Sequence, residues 1–149
     1  MIKMEDQQSI KNIDRNYIGH GIYRENILDN YKNPRNLGRI ENADAEFRDF
    51  NPVCGDELSI GIKFNSHAIN DVKIIPRGCA ISVASASILS EFIKGKTKDE
   101  IKNLKNEDVF NMLGIELSPI RVKCALLPLV TLKKAVYGFD KIKYTENGE

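Results

Sequence analysis

Long apolar runs, surplus charge, clustered cysteines and histidine are all scarce in this chain of 149 residues. No apolar stretch approaches the roughly 20 residues of a membrane-spanning helix, which argues against a membrane protein. Charged residues make up 29% of the chain but nearly cancel to +1. No strong field therefore points to nucleic acid or a membrane surface as a partner. The N-terminus carries Lys3, Asp6 and Gln7 without an apolar centre. It does not read as a secretory signal, and the expected location is cytoplasmic. Cysteine occurs three times, as Cys54, Cys79 and Cys124. An odd number at wide spacing makes no disulfide framework. His20 and His67 fall at a tail boundary and in a predicted turn, and neither reads as a metal ligand.

What is present suffices for one compact domain: 42% of the residues are hydrophobic, and the length supports a single core. Residues 1–18 are polar without a clear period and read as a flexible tail. Residues 19–149 read as one domain. Tyr23, Ile27, Leu28 and Tyr31 recur at helical spacing, and Pro34 ends that helix by pushing the preceding residue out of helical geometry. "AEFRDF" (45–50) reads as an edge strand. Leu58, Ile60, Ile62 and Phe64 alternate with Glu57, Ser59, Gly61 and Lys63, the period of a strand. "NSHA" then reads as a turn and "INDVKIIP" as the return strand. The rest is helical. Ile81, Ala84, Ser85, Ile88, Leu89 and Phe92 share a helical face closed by Gly95, Thr97 caps a short helix, and Asn106 is expected to cap another ending at Gly114. A last helix covers Leu126 to Val136, with Pro128 tolerable only near its first turn. The predicted class is α+β, a three-stranded antiparallel sheet packed on one side by helices.

All three cysteines lie at predicted junctions between elements rather than in apolar periodic positions. In an extended segment Cys54 and Asp56, two residues apart, point the same way. Gly55 lets the backbone turn between them. Cys79 follows Gly78 and opens a helix, and Cys124 is expected at the start of another. A thiol at a helix N-terminus meets unpaired N–H groups that favour thiolate, the form that binds metal or attacks sulfur. Three thiolates and one carboxylate make four ligands, the number zinc or each iron of a sulfur-bridged cluster requires. The harder oxygen should hold a soft iron–sulfur unit less firmly than a fourth thiolate would, which suits transient holding.

"YRENILDNYKNPRN", "NPVCGDELSIGIKF", "RGCAISVASASILSEFIKGKT" and "PIRVKCALL" resemble the IscU, NifU N-terminal and SufU family of iron–sulfur cluster assembly proteins, from about Tyr23 to Val136. The resemblance implies the same α+β fold, and it implies Cys54, Asp56, Cys79 and Cys124 as ligands of a nascent [2Fe–2S] cluster, of iron, or of zinc. It also implies a cysteine desulfurase that delivers persulfide sulfur. The sulfur acceptor implied is the last cysteine, here Cys124, by resemblance to scaffolds of the IscU kind, or the first, here Cys54, by resemblance to SufU proteins. Lys123 stands where IscU scaffolds usually carry histidine, which resembles SufU. The 45-residue separation of Cys79 from Cys124 lacks the SufU insertion and resembles IscU. "LSPIR", with Pro119, Ile120 and Arg121, resembles the chaperone-recognition loop of IscU scaffolds and implies an Hsp70-type partner.

Three readings follow. The first is a non-catalytic scaffold that assembles a [2Fe–2S] cluster and passes it to acceptor apo-proteins. The second is a zinc-bound sulfurtransferase relaying persulfide sulfur from the desulfurase. The third, a purely structural zinc domain, fits less well, because structural sites favour closely paired cysteines on rigid knuckles. The Lys-rich runs "KGKTKDE" and "LKKAVYGFDKIK" read as solvated faces.

Overall fold

The computed structural model describes residues 19–139; the predicted tail at 1–18 and the end of the predicted domain lie outside them. The elements run α1 (Gly19–Lys32), β1 (Ala45–Phe50), β2 (Glu57–Asn65), β3 (Ala68–Arg77), α2 (Ala80–Phe92), α3 (Lys98–Lys102), α4 (Asn106–Leu113) and α5 (Pro119–Phe139). The sheet is antiparallel in the order β1-β2-β3. This is the α+β architecture predicted from the strand and helix periods.

Alternation along β2 sends Leu58, Ile60 and Ile62 to one face, where they are buried. A bulge between Lys63 and Phe64 shifts the register against β3. It lets Ile69 as well as Val72 and Ile74 reach the same buried face despite the odd spacing. The turn is shorter than "NSHA" suggests: Asn65 pairs with Ala68, and Ser66 takes a positive φ of 60°. His67 sits in that turn, as predicted. The segment before β1 covers the free edge of β3, with Gly38 N–H donating to Ile74 O and Ile74 N–H donating to Asn36 O.

Helices α2 and α5 cover the buried face of the sheet, α5 over β1 and β2 and α2 beside β3. Ile93, Leu129, Leu132 and Val136 close the core from the helical side, each nearly inaccessible to solvent. Burial of each such side chain contributes on the order of 1.5–3 kcal/mol. Thr97 caps α3 in a capping box with Glu100. Helix α4 ends at Gly114 in the left-handed conformation, as predicted. Its first residue is Asn106, so the expected Asn106 cap is replaced by Lys105, whose N–H donates to Asp108.

Expectations for three helices need correction. In α1 only part of the apolar stripe packs: Ile27 is buried, whereas Leu28 and Tyr31 are exposed. The helix docks on α2 through a polar pair, Ser87 Oγ donating to Asn30 Oδ1 at 2.7 Å. In α2 burial runs nearly all round the helix, and Ser82, Ser85, Ser87 and Ser90 are interior. The helix ends at Phe92 with Ile93 as its cap, two residues before Gly95, and Phe92 is exposed. In α5, Pro128 lies ten residues in, not in the first turn. The run expected to be a chaperone loop, Pro119–Arg121, is the first turn of that helix. Ser118 caps it by accepting from Arg121 N–H at 3.4 Å, and Pro119 sits where a missing N–H costs nothing.

Candidate metal centre

At one end of the sheet, the loop from β1 to β2 meets the start of α2 and the second turn of α5. The loop is folded rather than extended. Asn51 accepts from Val53 N–H through its side chain and from Gly55 N–H through its carbonyl, and Asp56 O accepts from Asn51 N–H. The two-residue rule of an extended strand is therefore not what aligns Cys54 with Asp56. Gly55 does it, with a φ of +75° that side-chain-bearing residues rarely adopt. The Cys54 thiol then donates to Asp56 Oδ2 at 3.1 Å.

Cys79 is the N-cap of α2, and its sulfur accepts from Ser82 N–H at 3.4 Å. Its own N–H donates to Asp56 Oδ1 at 2.9 Å, and its thiol lies 3.5 Å from Oδ2. Gly78 makes this approach possible. A Cβ there would stand 2.1 Å from Asp56 Oδ1. No side chain fits, and the φ of +151° is itself a glycine conformation.

Cys124 does not begin its helix. It is the sixth residue of α5, and its thiol donates to Ile120 O at 3.5 Å. The helix N-terminus therefore does not explain its state. Burial pushes this thiol's pKa up, and Asp56, Cys54 and Cys79 around it push the same way. Asp56, only 2% exposed, responds oppositely. Burial raises its pKa, but hydrogen bonds from Cys54, the Cys79 backbone and the thiols of Cys124 and Cys79 outweigh burial and hold it below the usual carboxylate range. One ionised carboxylate thus gathers all three thiols.

The structure brings together all four residues singled out in the sequence. Ligand atoms of Cys54, Asp56 and Cys124 lie within 4.8 Å of one another, and Cys79 joins them through Asp56. Three soft sulfurs and one oxygen at this spacing suit a four-coordinate metal or one iron of a small cluster. Cys54 and Cys79 are half-buried and Cys124 is buried. Val53, next to Cys54, is 71% exposed, and Ile120, one helical turn before Cys124, is 64% exposed. Lys123 is exposed beside Cys124. A separate hollow of about 410 Å³ on the outer face of the sheet, lined among others by Arg39, Arg48, Ser59 and Lys73, shares no residue with this centre.

Sequence reasoning put Ser85 on the packing face of α2 and took its serines as small residues, but did not foresee the hydrogen bonds they make. Ser85 Oγ donates to Ala125 O at 2.7 Å, fastening the residue after Cys124. Ser87 ties down the "NPRN" segment through Arg35 N–H at 2.8 Å. The available signal was a serine at every second or third position of an otherwise apolar helix.

The class that fold and site define is a small α+β domain with a mixed thiol–carboxylate centre at one end of its sheet. The family model of the NifU-like N terminal domain matches residues 22–146, and the chain belongs to that family. It is 36% identical over 129 residues to iron–sulfur cluster assembly scaffold protein IscU 1 of Archaeoglobus fulgidus, covering 82% of this chain and 84% of the relative. It is 36% identical over 121 residues to the scaffold protein IscU of Escherichia coli K12, covering 78% and 93%. The crystal structure of a SufU protein of Fervidobacterium islandicum, assigned as a cluster assembly scaffold for the SUF system, superposes with a TM-score of 0.68 at 38% identity, covering 78% of this chain and 98% of that one. Among the described residues no helix is long and apolar enough to cross a membrane.

Proposed function

We propose that the protein is a cytoplasmic scaffold on which a [2Fe–2S] cluster is built and from which it passes to acceptor apo-proteins, with Cys54, Asp56, Cys79 and Cys124 as ligands. The observation that carries this reading is the convergence of three thiols on one ionised carboxylate, with Val53 and Ile120 exposed close to two of those thiols in the chain. Sulfur comes from a cysteine desulfurase as a persulfide. An acceptor thiolate attacks the outer sulfur, the desulfurase cysteine leaves as thiolate, and the acceptor keeps the persulfide. Two ferrous ions and two such sulfurs then yield two ferric ions and two sulfides. Iron supplies two of the four electrons, and an external one-electron donor supplies the other two.

Asp56 sets how firmly the product is held. Its oxygen is the weakest partner for a soft cluster, so it favours handover. Anaerobic incubation with iron, cysteine, a reductant and a desulfurase should give a coloured, sulfide-containing protein, and Asp56→Ala should slow cluster transfer to an acceptor. A protein that gains no sulfide under these conditions, or an Asp56→Ala variant that transfers at the native rate, would contradict the scaffold reading or the role of Asp56, respectively. The exposed first turn of α5 at Pro119, Ile120 and Arg121 is the proposed docking point for an Hsp70-type chaperone.

A second reading has its own support. Cys54 is half-exposed where Cys124 is buried, so an incoming persulfide reaches Cys54 first. Lys123 adds no imidazole to the ligand set. Both favour a relay in which zinc, held by the same four residues, orders the site while Cys54 carries sulfur. Tight stoichiometric zinc with strong stimulation of desulfurase turnover and no stable cluster would select this reading over the first.

A further inference from the structure

Cys124 poses a problem of access, because it is 2% exposed and yet has to meet a metal or sulfur donor. Helix α5 contains its own answer. In an unbroken helix the N–H of residue 128 donates to the carbonyl of residue 124. Residue 128 is proline. It has no N–H, and its ring crowds the carbonyl four residues back, which is that of Cys124. The break in the ladder therefore falls on the cysteine.

Two interior hydroxyls bond to the carbonyls beside this break. Ser85 Oγ, reaching across from α2, donates to Ala125 O at 2.7 Å, and Thr131 Oγ1 donates to Leu127 O at 2.7 Å. On the other side of Cys124 the helix is lightly held: Pro119, Ile120, Arg121 and Lys123 are exposed. The anchors there are the Ser118 cap, the Val122 N–H bond to Ser118 O, and the Cys124 thiol, which meets Ile120 O at 3.5 Å and the Asp56 carboxylate across the centre.

We propose that Pro128 and Ser85 act as hinge and latch for Cys124: the first turns of α5 open at the proline break and carry the buried thiol outward, and the Ser85–Ala125 bond returns it. Both are positioning residues, acting through Cys124. The idea rests on the site assignment above, since it supplies the motion that assignment requires. It differs from ordinary tolerance of a proline in predicting that restoring the missing bond closes the site.

The test uses the full chain, metal-free, and needs neither desulfurase nor cluster. Alkylation of Cys54 and Cys124 by iodoacetamide is followed at one fixed pH by peptide mass mapping. Pro128→Ala restores the N–H, and one restored hydrogen bond should slow Cys124 alkylation about fivefold. Amide exchange over residues 120–125 should slow with it. Ser85→Ala should speed Cys124 by a similar factor, and Ser85→Thr, which keeps the hydroxyl, should bring the rate back. Cys54, on the opposite wall, should keep its native rate throughout. An unchanged Cys124 rate in Pro128→Ala overturns the hinge, and an unchanged rate in Ser85→Ala overturns the latch. Equal changes at both cysteines would mean loosening of the whole fold and would overturn both. Failure of the scaffold reading shows separately, as absence of sulfide in the anaerobic assembly.

Discussion

The two walls of the centre are built by different physics. On the sheet side, Cys54, Asp56 and Cys79 are placed by backbone: two glycines at positive φ, one helix cap and a hydrogen-bonded loop. Few core contacts are involved. On the helical side, Cys124 is placed by burial, on a helix whose Leu129, Leu132 and Val136 belong to the core. The first wall is local and specific, and a single added methyl group can destroy it. The second is as firm as the fold behind it and gives way only where Pro128 has removed a bond.

That contrast breaks most visibly through the core. Leu132 is fully buried, and Leu132→Ala should cost about 4 kcal/mol of stability in urea unfolding, because the cavity adds to the lost transfer energy. Zinc affinity, measured by competition with a chelator below the unfolding transition, should stay within about threefold of native, since core loss is shared over the whole fold. A large fall in affinity of the folded variant would mean that the helical wall is as delicate as the other. Gly78→Ala is the converse. The added Cβ meets Asp56 Oδ1 and should cost about 3 kcal/mol through overlap and backbone strain. Its affinity should fall about 100-fold, because the carboxylate that gathers the thiols is displaced. Equal damage by the two substitutions would erase the distinction between the walls.

The same contrast governs what could be read in advance. Strands β2 and β3 were legible because a half-buried sheet imposes a period of two on their side chains. Helix α4 was legible at its end because Gly114 takes a left-handed conformation. Cys54 and Cys79 stood out because thiols at element junctions serve no packing purpose; Cys124, buried inside α5, and Asp56 stood out chiefly because the motifs around them resemble a known family. The α1 stripe misled for a physical reason. Its Tyr23 ring lies against Gly114, where a Cβ would come within 2.3 Å, Leu28 and Tyr31 stay exposed, and beside Ile27 the buried contact of the helix is Asn30 with Ser87. Hydrophobic spacing cannot reveal which polar residue will find a partner in another helix. Pro128 misled similarly: propensity places proline in a first turn, whereas here Ser85 and Thr131 serve the carbonyls around an internal break.

Two smaller effects sharpen the picture further. Gly55 and Gly78 both hold positive φ, but a Cβ on Gly55 would meet nothing within 4 Å. Gly55→Ala should therefore cost only the left-handed backbone penalty, about 1 kcal/mol, and leave zinc affinity near native. Gly55→Asn should recover part of the loss, since asparagine tolerates that conformation. A Gly55→Ala protein with affinity as poor as Gly78→Ala would show that the loop itself, and not the Asp56 carboxylate, sets the sheet-side wall.

The smallest effect is expected away from both walls, where the chain enters β1. Asp44 Oδ2 accepts from Phe64 N–H at 2.8 Å, and Lys63 lies nearby. That backbone bond, with the help of Lys63, outweighs desolvation and holds the Asp44 carboxyl below its ordinary range. A carboxyl whose pKa is lower folded than unfolded favours the folded state once the unfolded chain would also be ionised, above about pH 3.9. The advantage fades as acidification carries the pH through the folded value. Asp44→Asn removes the charge but keeps an acceptor for Phe64 N–H, so the variant should be slightly less stable than native at pH 7 and the gap should narrow below about pH 4. Urea midpoints at pH 7, 5 and 3 read this directly, and zinc affinity should not move. A gap that persists unchanged into acid would mean that Asp44 acts through shape rather than charge. A change in zinc affinity would mean that this end of the sheet is coupled to a centre the local geometry of the sheet-side wall should insulate.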